Sequence, residues 1–275
     1  MSLINKNTFL NLINENTSEY IGMGNPNSNL LLVGSEKAFD VNLQPLIAHH
    51  ELYHNYKHWK DIVYNHNNIE NPYDDILLQR PHPLNGFNPF NPLFLDETRQ
   101  IVMPLGGHTY KKIKRLVNHF QNIHHLPETD INPIAAPGNN FDLNTFSKCF
   151  ITDLSSMPAT NQNKANFKLD EFLQSERYNF LNRYASSFYQ DFKTTILYFG
   201  KGKNYIGKVN SPQRLSVLRI FNPNITHEDR QVINRNGIEF ECYIPENGCK
   251  VILSCHFTAY SCFTANYSIA LASLI

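Results

Sequence analysis

Leu30-Leu31-Leu32-Val33-Gly34 is the stretch on which the fold of this chain turns. Four successive aliphatic residues, bounded before by Gly24-Asn25-Pro26-Asn27-Ser28-Asn29 and after by glycine, are too short for a helix and read as a strand. A strand that is apolar at every position must bury both of its faces, as strands of a parallel sheet do. Three later segments share this grammar: Cys149-Phe150-Ile151-Thr152, Thr195-Ile196-Leu197-Tyr198-Phe199 and Val251-Ile252-Leu253-Ser254-Cys255. Helical patterns lie around and between them, at residues 5–16, 42–64, 109–120, 169–190 and 264–274. Short buried strands alternating with helices predict a three-layer α/β/α fold with a central four-stranded, mostly parallel sheet.

Two stretches depart from that alternation. Residues 65–107 are rich in Pro and Asn (Asn71-Pro72, Pro81-His82-Pro83, Asn88-Pro89, Asn91-Pro92) and are expected to form a folded insertion. Ile238-Glu239-Phe240-Glu241-Cys242-Tyr243 alternates apolar and polar residues before Pro245-Glu246-Asn247-Gly248, which predicts a hairpin with the last strand. No repeat or linker divides the chain, so residues 1–275 are expected to be one domain.

Lys and Arg number 24 against 24 Asp and Glu, for a formal charge of zero. A broad electrostatic grip on nucleic acid needs a basic excess that this chain lacks. Hydrophobic residues at 41% and aromatics at 12% suffice for a sizeable core and exclude a disordered class. With no run of eighteen apolar residues and a polar N-terminus, the expectation is a cytoplasmic protein without membrane spans or a signal peptide. The five cysteines, Cys149, Cys242, Cys249, Cys255 and Cys262, include no CxxC, so reduced thiols are expected.

In parallel α/β sheets ligands sit beyond the carboxyl ends of the strands. There this sequence places Gly34-Ser35-Glu36, Asp153, Gly200-Lys201-Gly202-Lys203 and His256-Phe257-Thr258. Glu36, Asp153 and His256 each follow a different strand, which favours a shared cleft over three separate helix or turn caps. The glycine-lysine segment lacks the full phosphate-loop pattern and reads as a strand-to-helix turn. His50-Glu51-Leu52-Tyr53-His54 is a formal HExxH, which on a helix sets two imidazoles one turn apart for zinc, with Glu51 as general base. No third ligand follows on an evident second helix, so a polar helix face is the favoured reading and a zinc hydrolase a distant alternative.

With those segments in place, the chain resembles the uracil-DNA glycosylase-like α/β superfamily. Residues 24–34 are similar to the family's first strand, with a G(D/N)P-type turn before an apolar run ending in VG. Lys148-Cys149-Phe150-Ile151-Thr152-Asp153-Leu154 with Met157-Pro158-Ala159 resembles its second, residues 192–200 its third, and Ser254-Cys255-His256-Phe257-Thr258 its HPS-type motif. The order and spacing agree over most of the chain from Tyr20 onward. Val33-Gly34-Ser35-Glu36 with His58-Trp59-Lys60-Asp61-Ile62 looks like a largely uncharacterised bacterial branch, in which the His50 to His58 helix carries no metal motif as a rule.

The resemblance implies a DNA-repair type of hydrolase that flips a base into a pocket to reach its N-glycosidic bond. Glu36 then positions water, His256 donates to the charge developing on the leaving base, and Gly34, Ser35, Phe39, Asp153 and Thr258 line the ligand. Lys201, Lys203, Lys208 and Arg214 would form a local basic rim. Here Lys37-Ala38-Phe39 lacks the family's loop proline, and Phe257-Thr258 stands in place of Pro-Ser. Asp153 occupies the place of an asparagine that pairs with uracil. An ionised carboxylate only accepts hydrogen bonds, so it cannot satisfy uracil O4 and better suits the donor edge of guanine or the amino group of cytosine. The sequence thus predicts a monomer without cofactor that binds DNA or a nucleobase-containing small molecule and does not perform standard uracil excision. A non-catalytic nucleotide or nucleic-acid binding module on the same fold is the alternative.

Overall fold

The structure, a computed structural model, describes residues 6–15, 19–35, 55–65, 87–88, 91–92, 94–95, 101–102, 108–124, 148–156, 167–199, 205–257 and 262–275. In chain order the elements begin with α1 (Asn7–Asn14), β1 (Met23–Gly24), β2 (Leu30–Gly34) and α2 (Asn55–Asn65). Two small antiparallel pairs follow, β3 (Phe87–Asn88) with β4 (Asn91–Pro92) and β5 (Phe94–Leu95) with β6 (Ile101–Val102). Next come α3 (His108–His124), β7 (Phe150–Asp153), α4 (Leu169–Leu173), α5 (Glu176–Asn179), a π-helical turn (Phe180–Tyr184) and α6 (Ser186–Tyr189). The chain continues through β8 (Thr194–Leu197), α7 (Pro212–Leu218), β9 (Arg230–Arg235), β10 (Ile238–Tyr243), β11 (Lys250–Leu253) and α8 (Ala265–Ala272).

The main sheet has seven strands, in the order β1-β7-β2-β8-β11-β10-β9. This corrects the expectation of four. The four apolar runs do form a parallel centre, with Leu32 opposite both Ile151 and Ile196, and Leu197 opposite Leu253. Three antiparallel strands extend it: β1 against β7, and the β9-β10 hairpin against β11. The hairpin turns at Asn236-Gly237, both at positive φ (54° and 76°), the conformation that a tight two-residue turn requires.

Period-two alternation along the central strands divides the core into two layers. Leu31, Val33, Phe150, Leu197, Val251 and Leu253 face α1, α2 and the segment from α4 to α7, around the fully buried Trp59, Phe188 and Phe192. Leu30, Leu32, Ile151, Ile196, Phe240 and Ile252 face α3 and α8, meeting Ile113, Leu116, Tyr267 and Leu271. Both faces of the parallel centre are therefore covered, as its uninterrupted hydrophobicity requires.

The helix expected over residues 169–190 is broken. Ser175 leaves the helix and caps the next one, its hydroxyl accepting from Tyr178 N and donating to Phe172 O. An extra residue then widens the turn, with Ala185 N donating five residues back to Phe180 O. Of the helix expected over residues 42–64, the part before Asn55 lies outside the described residues, as does most of the 65–107 insertion. Among the described residues no helix is long and apolar enough to cross a membrane.

Candidate functional site

The carboxyl ends of β2, β7, β8 and β11 bring Gly34, Asp153, Tyr198 and His256 to one end of the sheet. Gly34 lies directly beside Asp153 in the register. A Cβ on Gly34 would fall well inside van der Waals contact with Asp153 Oδ1 and with the Tyr198 hydroxyl. Both groups thus close over the glycine's Cα from neighbouring strands. Parity puts them on the sheet face that packs against α3 and α8, since Gly34, Asp153 and Tyr198 continue the series of Leu32, Ile151 and Ile196.

Tyr198 carries the site's aromatic wall. Its ring stacks on Phe257, with centroids 4.5 Å apart and planes 14° from parallel, and meets the His256 imidazole edge-on at 5.8 Å. Phe257 in turn packs on Phe263 at 4.5 Å, and the Lys112 ammonium of α3 stands 5.7 Å from the Phe263 ring centre. His256 is half-buried, and burial, aided by the charge of Lys112, holds its pKa below the ordinary 6.5. The imidazole is therefore neutral at pH 7, with one N–H to donate and one ring nitrogen to accept.

The backbone beneath these side chains is fixed. Leu154 N donates to Gly34 O (3.0 Å) and Ser155 N to Ser35 O (2.8 Å), so the β2-β7 pairing runs past the strand ends. Arg177, 4% exposed, donates from Nη2 to Asp153 O (2.7 Å), from Nε to Leu154 O (3.3 Å) and from Nη1 to Tyr20 O, and its Nη1 lies 3.4 Å from Glu19 Oε2. One planar guanidinium thereby ties the end of β7 to the segment leading into β1. On that segment Asn55 Nδ2 and Trp59 Nε1 both donate to Gly22 O, at 2.9 and 2.8 Å, and the Tyr189 hydroxyl donates to Ile21 O at 2.6 Å. At the other strand Tyr267 of α8 accepts from Cys255 N at 3.1 Å and shares a hydrogen bond with the Ser254 hydroxyl at 3.2 Å, anchoring the chain just before His256.

Of the residues expected in the cleft, Gly34 and Asp153 lie side by side with Ser35 adjoining, and His256 meets Tyr198, which reaches over Gly34. Glu36, Phe39, Thr258, Lys201 and Lys203 lie outside the described residues, as does His50-Glu51-Leu52-Tyr53-His54. Lys208 is exposed. Arg214 departs from its expected place on a basic rim. It is 2% exposed, its Nε and Nη2 donate to Gly207 O (3.1 and 2.9 Å), and its Nη1 pairs with Glu241, which also accepts from Arg230 Nε at 2.8 Å. Those partners leave it structural, because a buried guanidinium is tolerated only when its donors are satisfied.

The cysteines also differ from expectation. Cys255 and Cys262 form a disulfide, whereas Cys149, Cys242 and Cys249 are buried free thiols. Tyr198 was not singled out by sequence reasoning, which counted it among the apolar residues of its strand. Its one available signal was a phenol hydroxyl two residues before the glycine that ends the run. Among the described residues no three His, Cys, Asp or Glu side chains are grouped to hold a metal ion.

Comparison with known proteins finds no match to this chain among family models, curated proteins or solved structures.

Proposed function

We propose that the carboxyl end of the parallel strands binds a nucleobase, as a flipped nucleotide or a free nucleoside, and hydrolyses its N-glycosidic bond. The observation that carries this reading is the approach of Asp153 and Tyr198 over Gly34, with the His256 imidazole edge-on to the Tyr198 ring at 5.8 Å. The set offers a carboxyl group that only accepts when ionised, a phenol that both donates and accepts, and a neutral imidazole. Guanine presents two adjacent donors, N1–H and the exocyclic amine, to the two oxygens of one carboxylate, with O6 beside them for a hydroxyl or imidazole N–H. Cytosine offers the carboxylate one donor group. Uracil turns carbonyl oxygens toward it on both sides of N3–H, a repulsive match. The preferred ligand is therefore guanine or a modified guanine.

In the reaction water adds to C1′ and the C1′–N bond breaks, its electron pair leaving with the base; the water gives up one proton, and the departing base nitrogen takes one up, so the products are the sugar hydroxyl and the free base. The His256 N–H faces that charge as it develops, and a neutral donor does so without first surrendering a proton. Resemblance to the glycosylase-like superfamily and the conjunction of strand-end motifs support the same assignment, with Glu36 the candidate for orienting the water.

The test is incubation of the full-length protein with duplex and single-stranded oligonucleotides carrying a panel of lesions, and with free nucleosides. Released base and abasic sites are then measured. Release from a guanine-type substrate that is lost in H256A supports the proposal. No release anywhere, with unchanged nucleoside recovered from the bound state, replaces it with the non-catalytic binding module.

A further inference from the structure

We propose that β9 is the docking edge for a second copy of this chain, the two edge strands pairing antiparallel about a two-fold axis at Val232 so that two seven-stranded sheets join into one. The sheet ends at β9, whereas at its other edge β4 lies against β1. Among the described residues no strand pairs with the outer side of β9. Its six residues, Arg230 to Arg235, pair with β10 without interruption, so neither a bulge nor a proline blunts the edge. Val232 at the middle is 53% exposed. A dimer of this kind takes the place of the monomer expected from the sequence.

Which groups the edge offers follows from the hairpin. The tight turn at Asn236-Gly237 makes Arg235 and Ile238 a hydrogen-bonded pair, and at the far end the bond from Ile244 N to Asp229 O keeps the same phase. Asp229, Gln231, Ile233 and Arg235 therefore bond inward, while Arg230, Val232 and Asn234 turn their peptide groups outward. Arg230 N already donates to His227 O at 3.3 Å, and Asn234 O accepts from Arg235 Nη1 at 3.1 Å. The new ladder thus rests on Val232 N and O, Asn234 N and Arg230 O. With the axis at Val232, the two Val232 peptides exchange both bonds, and each Asn234 N reaches the O of the partner's Arg230. In that register Arg235 stands opposite the partner's Asp229, twice, in non-hydrogen-bonded positions where opposed side chains come closest. Arg235 is exposed, and Asp229 accepts from Thr226 N and Oγ1 through Oδ2 alone (2.7 and 3.0 Å), which leaves Oδ1 for a guanidinium. An axis at Gln231 or Ile233 instead puts Arg235 opposite the partner's His227 or the partner's Gln231 and loses both ion pairs. The strand's opposite charges therefore lie where a two-fold exchanges them, which fits a second copy better than a foreign peptide. Because the paired strands run antiparallel, the strand-end sites of the two copies open in opposite directions and each remains complete.

The inference stands apart from the proposed ligand. It is tested by sedimentation equilibrium of the full-length protein from roughly 5 to 500 μM, with amide hydrogen exchange at both ends of that range. Expected are a mass rising from 31.8 kDa toward twice that value, and exchange at Val232 and Asn234 slowed at least about tenfold in the concentrated sample. The amides of Gln231 and Ile233, bonded to β10, should stay slow throughout. V232P removes an outward donor without touching a bond to β10, and R235D sets a carboxylate opposite the partner's Asp229. Each should raise the dissociation constant at least about tenfold. D229R alone should do the same, whereas an equimolar mixture of R235D with D229R should pair again, since each contact regains one cation and one anion. If D229R does not fold, V232P, R235D and the exchange rates decide. Three results would each overturn the inference: a single-chain mass at every concentration, which leaves the edge to another partner; a dimer indifferent to V232P and R235D; or slow exchange at Val232 and Asn234 in the dilute single chain.

Discussion

Replacing Gly34 by alanine probes the arrangement of the strand ends without any knowledge of the ligand. The added methyl meets three atoms: Asp153 Oδ1, the Tyr198 hydroxyl oxygen and Tyr198 Cζ. Neither side chain has an easy retreat. The Tyr198 ring is stacked on Phe257, which is backed by Phe263, and the Asp153 backbone is held by Arg177 and by the β2-β7 register. Forcing one methyl into such a place costs about 1–3 kcal/mol. At a urea slope of roughly 3 kcal/mol per molar, a loss of ~2 kcal/mol lowers the unfolding midpoint by about 0.7 M. If the clash with Asp153 Oδ1 is the cause, D153A in the G34A background recovers part of the loss, a coupling of about 1 kcal/mol in a double-mutant cycle. Urea unfolding followed by tryptophan fluorescence measures both quantities, Trp59 being the chain's one tryptophan and fully buried. A G34A protein within ~0.5 kcal/mol of the parent, with D153A strictly additive, would refute the placement of Asp153 and Tyr198 over Gly34.

Other outcomes follow from the same geometry. R177A strands the carbonyls of Tyr20, Asp153 and Leu154 and should cost at least about 3 kcal/mol in urea unfolding, with R177K recovering little because one ammonium cannot span them. His256 has a folded pKa below its unfolded one, so its neutral burial favours folding above pH 6.5, and that stability is lost as pH falls through the lowered folded value. H256Q should therefore flatten the fall in stability below pH 6.5, measured as unfolding free energy across the pH range. Reducing the Cys255–Cys262 bridge, which closes a loop of seven residues' separation, should lower stability by about 2–3 kcal/mol through the unfolded chain, read as a lower melting temperature with reductant.

The parallel centre of the sheet was legible because Leu30 to Val33 and its three counterparts must bury two faces, and burial on both faces erases any period. The opposite edge strand was not. In β9, Arg230-Gln231-Val232-Ile233-Asn234-Arg235, the side chains are half-buried or exposed and Val232 is 53% exposed, so no apolar series marks it. The Asn236-Gly237 dipeptide beside it was the usable sign of a hairpin. The break at Ser175 escaped because hydrophobic spacing continues on either side of it, and only the serine's capping capacity marks the discontinuity. At the strand ends, Asp153 and His256 were singled out because position after a strand predicts a cleft. Arg214 was misplaced by the same reasoning, since its pairing with Glu241, 27 residues later, is a tertiary fact. The Cys255–Cys262 bridge and the approach of Tyr198 to Gly34 likewise depend on how a strand end meets its neighbours, which spacing along the chain does not encode.

Binding of unmodified nucleosides tests the central claim most directly. Amide and imidazole resonances of isotope-labelled protein are followed by nuclear magnetic resonance as 2′-deoxyguanosine or 2′-deoxyuridine is added, in the parent and in D153N. Shifts centred on Gly34, Asp153, Tyr198 and His256 with deoxyguanosine, a weaker response to deoxyuridine, and a reversal of that preference in D153N are the predicted result. Equal response to both nucleosides in the parent, or shifts confined to another part of the molecule, would contradict it.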